Sequence, residues 1–254
     1  MAITGGDGLS RVDDRRSLIH NTLANMACLL LGTTATAMLV RWELSLGWDY
    51  VAAATLTLSF IFGFVIYSLP SHPHRDFGYA NFVTAFRASL VSLTAATVLC
   101  FETLHQADAI LWILVGVVVL ALSLDGMDGY LARKYRQESK LGARFDMEVD
   151  AFLILILSVA AATLQKAGAW VLLIGLMRYA FVAASWFIAA LGADLPSSFR
   201  RKAVCVTQVS TLCLILVPAV DIPVSNYLAA LSLAMLTVSF AIDIVFLLRN
   251  RVAA

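Results

Sequence analysis

Leu111-Trp-Ile-Leu-Val-Gly-Val-Val-Val-Leu-Ala-Leu-Ser-Leu-Asp125-Gly-Met-Asp128 is an apolar run that ends abruptly on two carboxylates. Its apolar part belongs to the run at residues 108–124, which is long enough for a helix to cross a hydrocarbon core about 30 Å thick. An ionised side chain at the edge of such a run is expensive unless it binds a cation or lines a water-filled cavity. The stretch therefore predicts a transmembrane helix with a functional site at its end.

Comparable runs lie near 21–40, 50–69, 82–101, 150–165, 168–191, 204–219 and 226–248, which predicts about eight helices. The 254-residue chain is 61% hydrophobic and only 14% charged, with a mean hydropathy of +0.85. Soluble domains carry about 25% charged residues, so a soluble enzyme is excluded. No Pro/Gly/Ser-rich or charged linker divides the chain, and the expected architecture is one all-α, polytopic membrane helix bundle. The first run starts too late and is too long for a secretory signal, with no small-residue cleavage site after it, and reads as a mature helix. The net charge of +1 conceals basic residues gathered in short hydrophilic stretches rather than in a nucleic-acid-binding field, so no nucleic acid partner is expected. Cys28, Cys100, Cys205 and Cys213 lie in apolar stretches without metal-ligand spacing and read as small core hydrophobes.

A cytoplasmic N-terminus places Arg11, Arg15, Arg16, Arg75, the 133–144 stretch, Arg200, Arg201, Lys202, Arg249 and Arg251 on the cytoplasmic side, leaving mainly Arg41 and Lys166 opposite. The helices around 108–165 are then expected to project beyond the membrane with their polar ends in the cytoplasm. Ser71-His-Pro-His-Arg-Asp-Phe-Gly78 reads as an interfacial loop or short surface helix, and its two histidines lack a third metal ligand nearby.

The chemistry concentrates in Asp125-Gly-Met-Asp128-Gly129-Tyr-Leu-Ala132-Arg133 and Gly142-Ala-Arg-Phe-Asp146-Met-Glu-Val-Asp150. Asp125 and Asp128 are spaced i, i+3, and Asp146 and Asp150 i, i+4, so each pair shares one helix face. Four carboxylates brought together repel one another; divalent ions relieve that repulsion. Carboxylate ligation favours Mg²⁺ or Mn²⁺, with Ca²⁺ as a substitute, over zinc. The interleaved small residues Gly126, Gly129, Ala132 and Gly142 let a polar ligand or a neighbouring helix approach closely, or pack helices only.

The pattern Asp125-x2-Asp128-Gly129-x2-Ala132-Arg133-x8-Gly142-x3-Asp146-x3-Asp150 resembles, at every fixed position, the signature of the CDP-alcohol phosphotransferase (CDP-alcohol phosphatidyltransferase) family. The signature covers 26 positions, and a six-span core from about 80 to 248 is similar to the family's bundle. Residues 1–70, with two extra transmembrane helices, then read as an N-terminal addition to a membrane domain at 71–254. The resemblance implies transfer of a substituted phosphoryl group from a CDP-linked donor, often CDP-diacylglycerol, to an alcohol hydroxyl with release of CMP. It implies two divalent metal ions held by Asp125, Asp128 and Asp146, with Asp150 in the same acid set and acting as general base. Gly129, Ala132 and Gly142 would admit the cytidine and its phosphates, and Arg133 would be a phosphate partner.

Asn81-x2-Thr84-x2-Arg87 is similar to the start of the family's first core helix. Asn81 and Thr84 would hydrogen-bond the nucleotide or the metal cluster, with helix capping as the alternative; Arg87 reads as snorkelling to headgroups. Arg178, inside an apolar run, is expected to meet a phosphate or a cluster acid, or to pair with Asp243. Arg200, Arg201 and Lys202 open the seventh run and suit an anionic acceptor, or serve as positive-inside flanking. Family members using glycerol phosphate carry Lys-x2-Thr-x2-Gln, whereas here the spacing is Lys202-x4-Thr207-Gln208. The expected reading is phospholipid synthesis with an acceptor such as glycerol 3-phosphate. Serine, choline, a CDP-choline-type donor, or a carboxylate-lined transporter are the alternatives. Membrane lipids, the CDP-linked lipid donor and a small alcohol are the expected partners. A homodimer and a bacterial inner membrane location with both termini and the active site cytoplasmic complete the expectations.

Overall fold

A computed structural model of the chain describes residues 6–69, 77–100, 108–135, 137–193 and 198–252. Among them are eight α-helices and no strand: α1 Gly6–Glu43, α2 Trp48–Ser68, α3 Tyr79–Cys100, α4 Asp108–Lys134, α5 Lys140–Thr163, α6 Leu172–Phe187, α7 Phe199–Ile215 and α8 Val224–Val252. Seven of the eight apolar runs lie mostly within a single helix each, and the 168–191 run is broken. The 71–78 interruption lies outside the described residues up to position 76.

Among the described residues, six segments, Ser17–Glu43, Trp48–Ser68, Tyr79–Cys100, Asp108–Lys134, Ala169–Phe187 and Val224–Arg249, are long and apolar enough to cross a membrane. The chain is an all-α integral membrane protein. The other two helices differ from the expected eight spans for physical reasons. The first half of α5 carries Asp146, Glu148 and Asp150, and α7 has only 17 residues before Pro218, which has no N–H to continue a helix.

The apolar runs at 108–124 and 150–165 proved to be only parts of α4 and α5, which continue through the polar signature to Lys134 and back to Lys140. The 168–191 run is not one helix. It is a single turn at Ala169–Val171, then α6, then extended backbone at Ile188 and a second turn at Ala189–Gly192.

The described chain divides into two compact units, Met1–Phe101 with Ser123–Val149, and Glu102–Leu122 with Asp150–Ala254. In the first, α1 and α2 form an antiparallel pair reversed at Ser45, whose backbone is left-handed (φ 52°), with Arg41 stacked 4.0 Å over the Trp48 ring. Both helices pack on α3, where Ala37, Tyr50, Val51, Ala54 and Ala96 form a buried cluster and the Tyr50 hydroxyl meets Thr97 at 3.3 Å. The small residues Ala85, Ala88, Ser89, Ser92, Ala95 and Ala96 allow this close packing of α3, more than half of which is buried.

In the second unit, α7 and α8 are joined by a reciprocal pair: Gln208 Nε2 donates to the Ser232 carbonyl at 2.9 Å and Ser232 Oγ donates to Gln208 Oε1 at 2.5 Å. Without the partner on the other helix each buried polar group would be left unsatisfied. At one end of this unit Lys166 Nζ donates to the Val220 carbonyl at 2.7 Å and to Asp221 at 2.8 Å. Gly175 of α6 lies against α5 so closely that a Cβ there would meet Leu155 Cα at 2.5 Å.

Candidate metal centre and its arginine

The centre is built on three helices of the first unit. On α3, Asn81, Thr84 and Arg87 recur every third residue, share one face and are all buried. On α4, Asp125 and Asp128 lie one turn apart, and Asp146 stands in the second turn of α5. The start of α5 is fixed by Ser139, whose Oγ accepts the Gly142 N–H at 3.0 Å and whose carbonyl accepts the Ala143 N–H at 3.0 Å. This is an N-cap, satisfying a donor that the first helical turn leaves without a partner. Gln137, just before it, accepts the Tyr79 N–H at 3.1 Å and ties the α4–α5 connection to the start of α3.

Carboxylate oxygens of Asp125, Asp128 and Asp146 all lie within 4.8 Å of one another. Between them stands Arg87, whose Nη1 is 3.0 Å from Asp125 Oδ1, 2.9 Å from Asp128 Oδ2 and 2.5 Å from Asp146 Oδ1. Its side chain is 1% exposed, against 24%, 6% and 34% for the three acids. Thr84 Oγ1 is 3.0 Å from Asp128 Oδ2 and 3.1 Å from the Ala80 carbonyl. The expectation that Arg87 snorkels to headgroups is thus overturned: the three carboxylates outweigh solvent as its partner. A cation already stands where the donor set calls for one, so hard oxygen ligands at this spacing suit a divalent ion.

Gly142 is required by proximity. A Cβ there would lie 2.5 Å from Asn81 Oδ1 and 3.2 Å from Ser139 Oγ. Asn81 in turn donates Nδ2 to the Phe77 carbonyl at 2.5 Å. Gly129 and Ala132 follow Asp125 and Asp128 along α4 and are half-buried, and among the described residues the Arg133 side chain covers Gly129, 3.4 Å from where its Cβ would be. Arg133 is exposed.

The remaining predicted residues belong to the second unit. Asp150 is one helical turn beyond Asp146 on α5, about 6 Å of helix rise, and accepts a weak contact from Cys205 Sγ of α7 at 3.5 Å. Arg178 is half-buried in α6. Arg200 donates to the Ser239 carbonyl at 2.7 Å, to Ser239 Oγ, and to Asp243 Oδ1 at 2.5 Å, and Arg201 reaches the same Asp243 oxygen at 3.3 Å. Asp243 is therefore held by Arg200 and Arg201, two of the predicted acceptor residues. Lys202 is exposed. Arg200 also borders an apolar cavity of about 370 Å³ with Val204, Met235, Val238 and Ile242.

Sequence reading missed two partners, Arg87 and Cys205. The spacing of Asn81, Thr84 and Arg87 puts them on one face without saying what that face meets; nothing in the sequence pointed to the Cys205 contact.

These features define a polytopic membrane protein with a carboxylate centre fit for a divalent ion at the end of α4. The family model for CDP-alcohol phosphatidyltransferases matches residues 77–243, well over half of the chain. The chain belongs to the CDP-alcohol phosphatidyltransferase family and is a transferase. No curated protein and no solved structure matches it significantly. Family membership implies divalent-metal-dependent transfer of a phosphatidyl group from a CDP-alcohol to an acceptor.

Proposed function

We propose that the protein transfers a phosphatidyl group from CDP-diacylglycerol to an anionic alcohol, glycerol 3-phosphate first, in phospholipid synthesis. The observation that carries this reading is the convergence of Asp125, Asp128 and Asp146 within 4.8 Å. Those three carboxylates would hold two Mg²⁺ or Mn²⁺ ions. Ions held by these residues would supply charge neutralisation for the diphosphate and for the phosphate of the departing CMP. Asp150, one turn further along α5, takes the proton of the acceptor hydroxyl as its oxygen attacks the β-phosphorus. The bond from that phosphorus to the bridging oxygen breaks, and CMP leaves with the electron pair.

Gly129 and Ala132 leave room for the nucleotide, Gly142 makes room for Asn81 instead, and Arg133 on the exposed side of α4 is available to a phosphate. Arg178, Arg200, Arg201 and Lys202 supply the positive charge that suits an anionic acceptor. That charge favours glycerol 3-phosphate over serine or choline. Basic flanks put both termini and the active site in the cytoplasm, as in a bacterial inner membrane. Residues 71–254 form the catalytic domain, and α1 and α2 are an addition to it.

The test is CMP release by purified protein with CDP-diacylglycerol and Mg²⁺ or Mn²⁺ against glycerol 3-phosphate, inositol phosphate, serine, choline and phosphatidylglycerol. Turnover with glycerol 3-phosphate, lost in Asp150→Asn, is expected. Turnover only with an uncharged or zwitterionic alcohol would overturn the acceptor. Silence with every acceptor and with CDP-choline and CDP-ethanolamine would overturn the donor as well.

A further inference from the structure

We propose that α7 and α8 carry a site for one acidic phospholipid: an acyl chain lies in the apolar groove between the two helices, and the phosphate sits on the basic first turn of α7. The lipid competes there with the soluble anionic acceptor. That competition rests on the function proposed above; the lipid site itself does not.

The groove is the gap between two cross-links. At one end Arg200 donates to the Ser239 carbonyl at 2.7 Å and to Asp243 at 2.5 Å; at the other, Gln208 and Ser232 form their reciprocal pair. The helices run antiparallel between these points, and Val204, Ala234, Met235 and Val238 face the gap. Their small or flexible side chains leave an opening of about 370 Å³. Residues 234 to 242 of α8 cover about 12 Å of helix rise. That length seats a lipid chain, and it is too short for the roughly 1,000 Å² that a stable protein interface buries. Ala234, Met235, Val238 and Ile242 are exposed and lie inside Val224–Arg249, a segment apolar enough to cross a membrane, so hydrocarbon is what they meet.

Charge then selects the lipid. The lining is apolar except at the end where Arg200 and Ser239 stand. Arg201 and Lys202 follow Arg200 in the first turn of α7. Asp243 orients the forks of Arg200 and Arg201 while their side chains stay 31% and 30% exposed, and Lys202 is exposed. Lipid tails are as apolar as the groove, so the chain alone gains little over the surrounding bilayer. Lys and Arg near a membrane surface attract acidic lipids, and phosphate oxygens accept charge-assisted bonds from guanidinium N–H groups. Cations at one end of an apolar slot complement a lipid with a negative head. A choline head would bring its ammonium to like charge.

The experiment is native mass spectrometry of the full chain in neutral detergent, with dioleoylphosphatidic acid or dioleoylphosphatidylcholine at equal mole fraction. The two share their chains, and phosphatidic acid has no alcohol hydroxyl to act as acceptor. Wild type is expected to retain phosphatidic acid at least tenfold more tightly than phosphatidylcholine. Replacing both Arg201→Gln and Lys202→Gln should bring the two within about twofold. Val238→Trp, which fills the groove, is expected to weaken phosphatidic acid at least threefold while leaving the KM for glycerol 3-phosphate in phosphatidylcholine micelles unchanged. Should it fail to fold, Ala234→Phe fills the same gap and carries the same expectation. Equal retention of the two lipids by wild type would overturn the site. Undiminished retention in a folded groove variant would show the cations binding phosphate without the groove, and loss of a dimer mass in that variant would give the groove to a second copy; either overturns the proposal. In turnover, phosphatidic acid is expected to raise the KM for glycerol 3-phosphate at least threefold with kcat unchanged, and an unchanged KM would overturn the competition. Wild type that releases no CMP yet still prefers phosphatidic acid would instead sink the proposed function and leave the lipid site standing.

Discussion

The two units each hold a constellation of arginine and aspartate, with opposite balance. In the first, one guanidinium serves three carboxylates; in the second, the two guanidiniums of Arg200 and Arg201 meet on the one carboxylate of Asp243. The first group is dominated by carboxylates and the second by guanidiniums. Such an imbalance is a poor way to stabilise a fold, because desolvated charges approach break-even only when paired. The proposed function uses that difference: the acidic group at the end of α4 for cations, and the basic pair at the start of α7 for an anionic acceptor.

The comparison breaks most visibly at the acids. Asp128→Asn is expected to lower CMP release about a thousandfold or more and to abolish Mn²⁺ binding, since losing one of three hard ligands weakens both the ion and the charge stabilisation it gives. Asp150→Asn is expected to lower turnover by about 10²–10⁴, the usual worth of a general base, while Mn²⁺ still binds and the protein stays folded. Equal loss of metal in both variants would show that Asp150 belongs with the ligands rather than with the base.

Stability separates the two constellations next. Arg87→Met removes the cation that meets all three acids and should cost about 3–5 kcal/mol in EDTA, as for other broken buried pairs, read as a lower apparent Tm that Mn²⁺ restores. In the second unit, Arg200→Gln should cost only about 1–2 kcal/mol, because its side chain is 31% exposed and solvent screens the pair. Arg201→Gln, with a single 3.3 Å contact to Asp243, should cost less than about 1 kcal/mol. If the second constellation receives the anion, both variants raise the KM for glycerol 3-phosphate about tenfold. An unchanged KM in both would reduce that constellation to a link between α7 and α8.

The share of the fold and site that was legible in the sequence depends on how far each residue type acts along the chain. Long apolar runs and the spacing of Asp125, Asp128 and Asp146 announce helices and a shared face, because both depend on local periodicity. The polar ends of α4 and α5 were foreseen, whereas the break of the 168–191 run at Ile188 was not, since no glycine or proline marks it and only tertiary packing decides it. Arg87 was misread for a different reason. A cation one turn inside an apolar run looks alike whether it reaches outward to headgroups or inward to acids about 40 and 60 residues away. The Arg200 and Arg201 contacts of Asp243 were hidden in the same way, since about 40 residues separate them from it in the chain.

Thr84→Val sharpens the first constellation by the smallest step. The substitution keeps the shape of the side chain and removes its one hydroxyl, which lies 3.0 Å from Asp128 Oδ2 and 3.1 Å from the Ala80 carbonyl. One O–H can donate to only one of these at a time. When the proton goes to Asp128, it gives a charge-assisted bond worth about 1.5–3 kcal/mol in general. Arg87 already engages the same carboxylate oxygen at 2.9 Å, so the loss should fall at or below the lower end, about 1 kcal/mol. The effect should also depend on the ion: visible in EDTA, where Thr84 and Arg87 together hold Asp128, and smaller in Mn²⁺, where the carboxylate has a stronger partner. A Thr84→Val penalty that is larger with Mn²⁺ than without it would mean that the hydroxyl orients Asp128 as a ligand, and the charge balance of the centre would then be secondary to its hydrogen bonding.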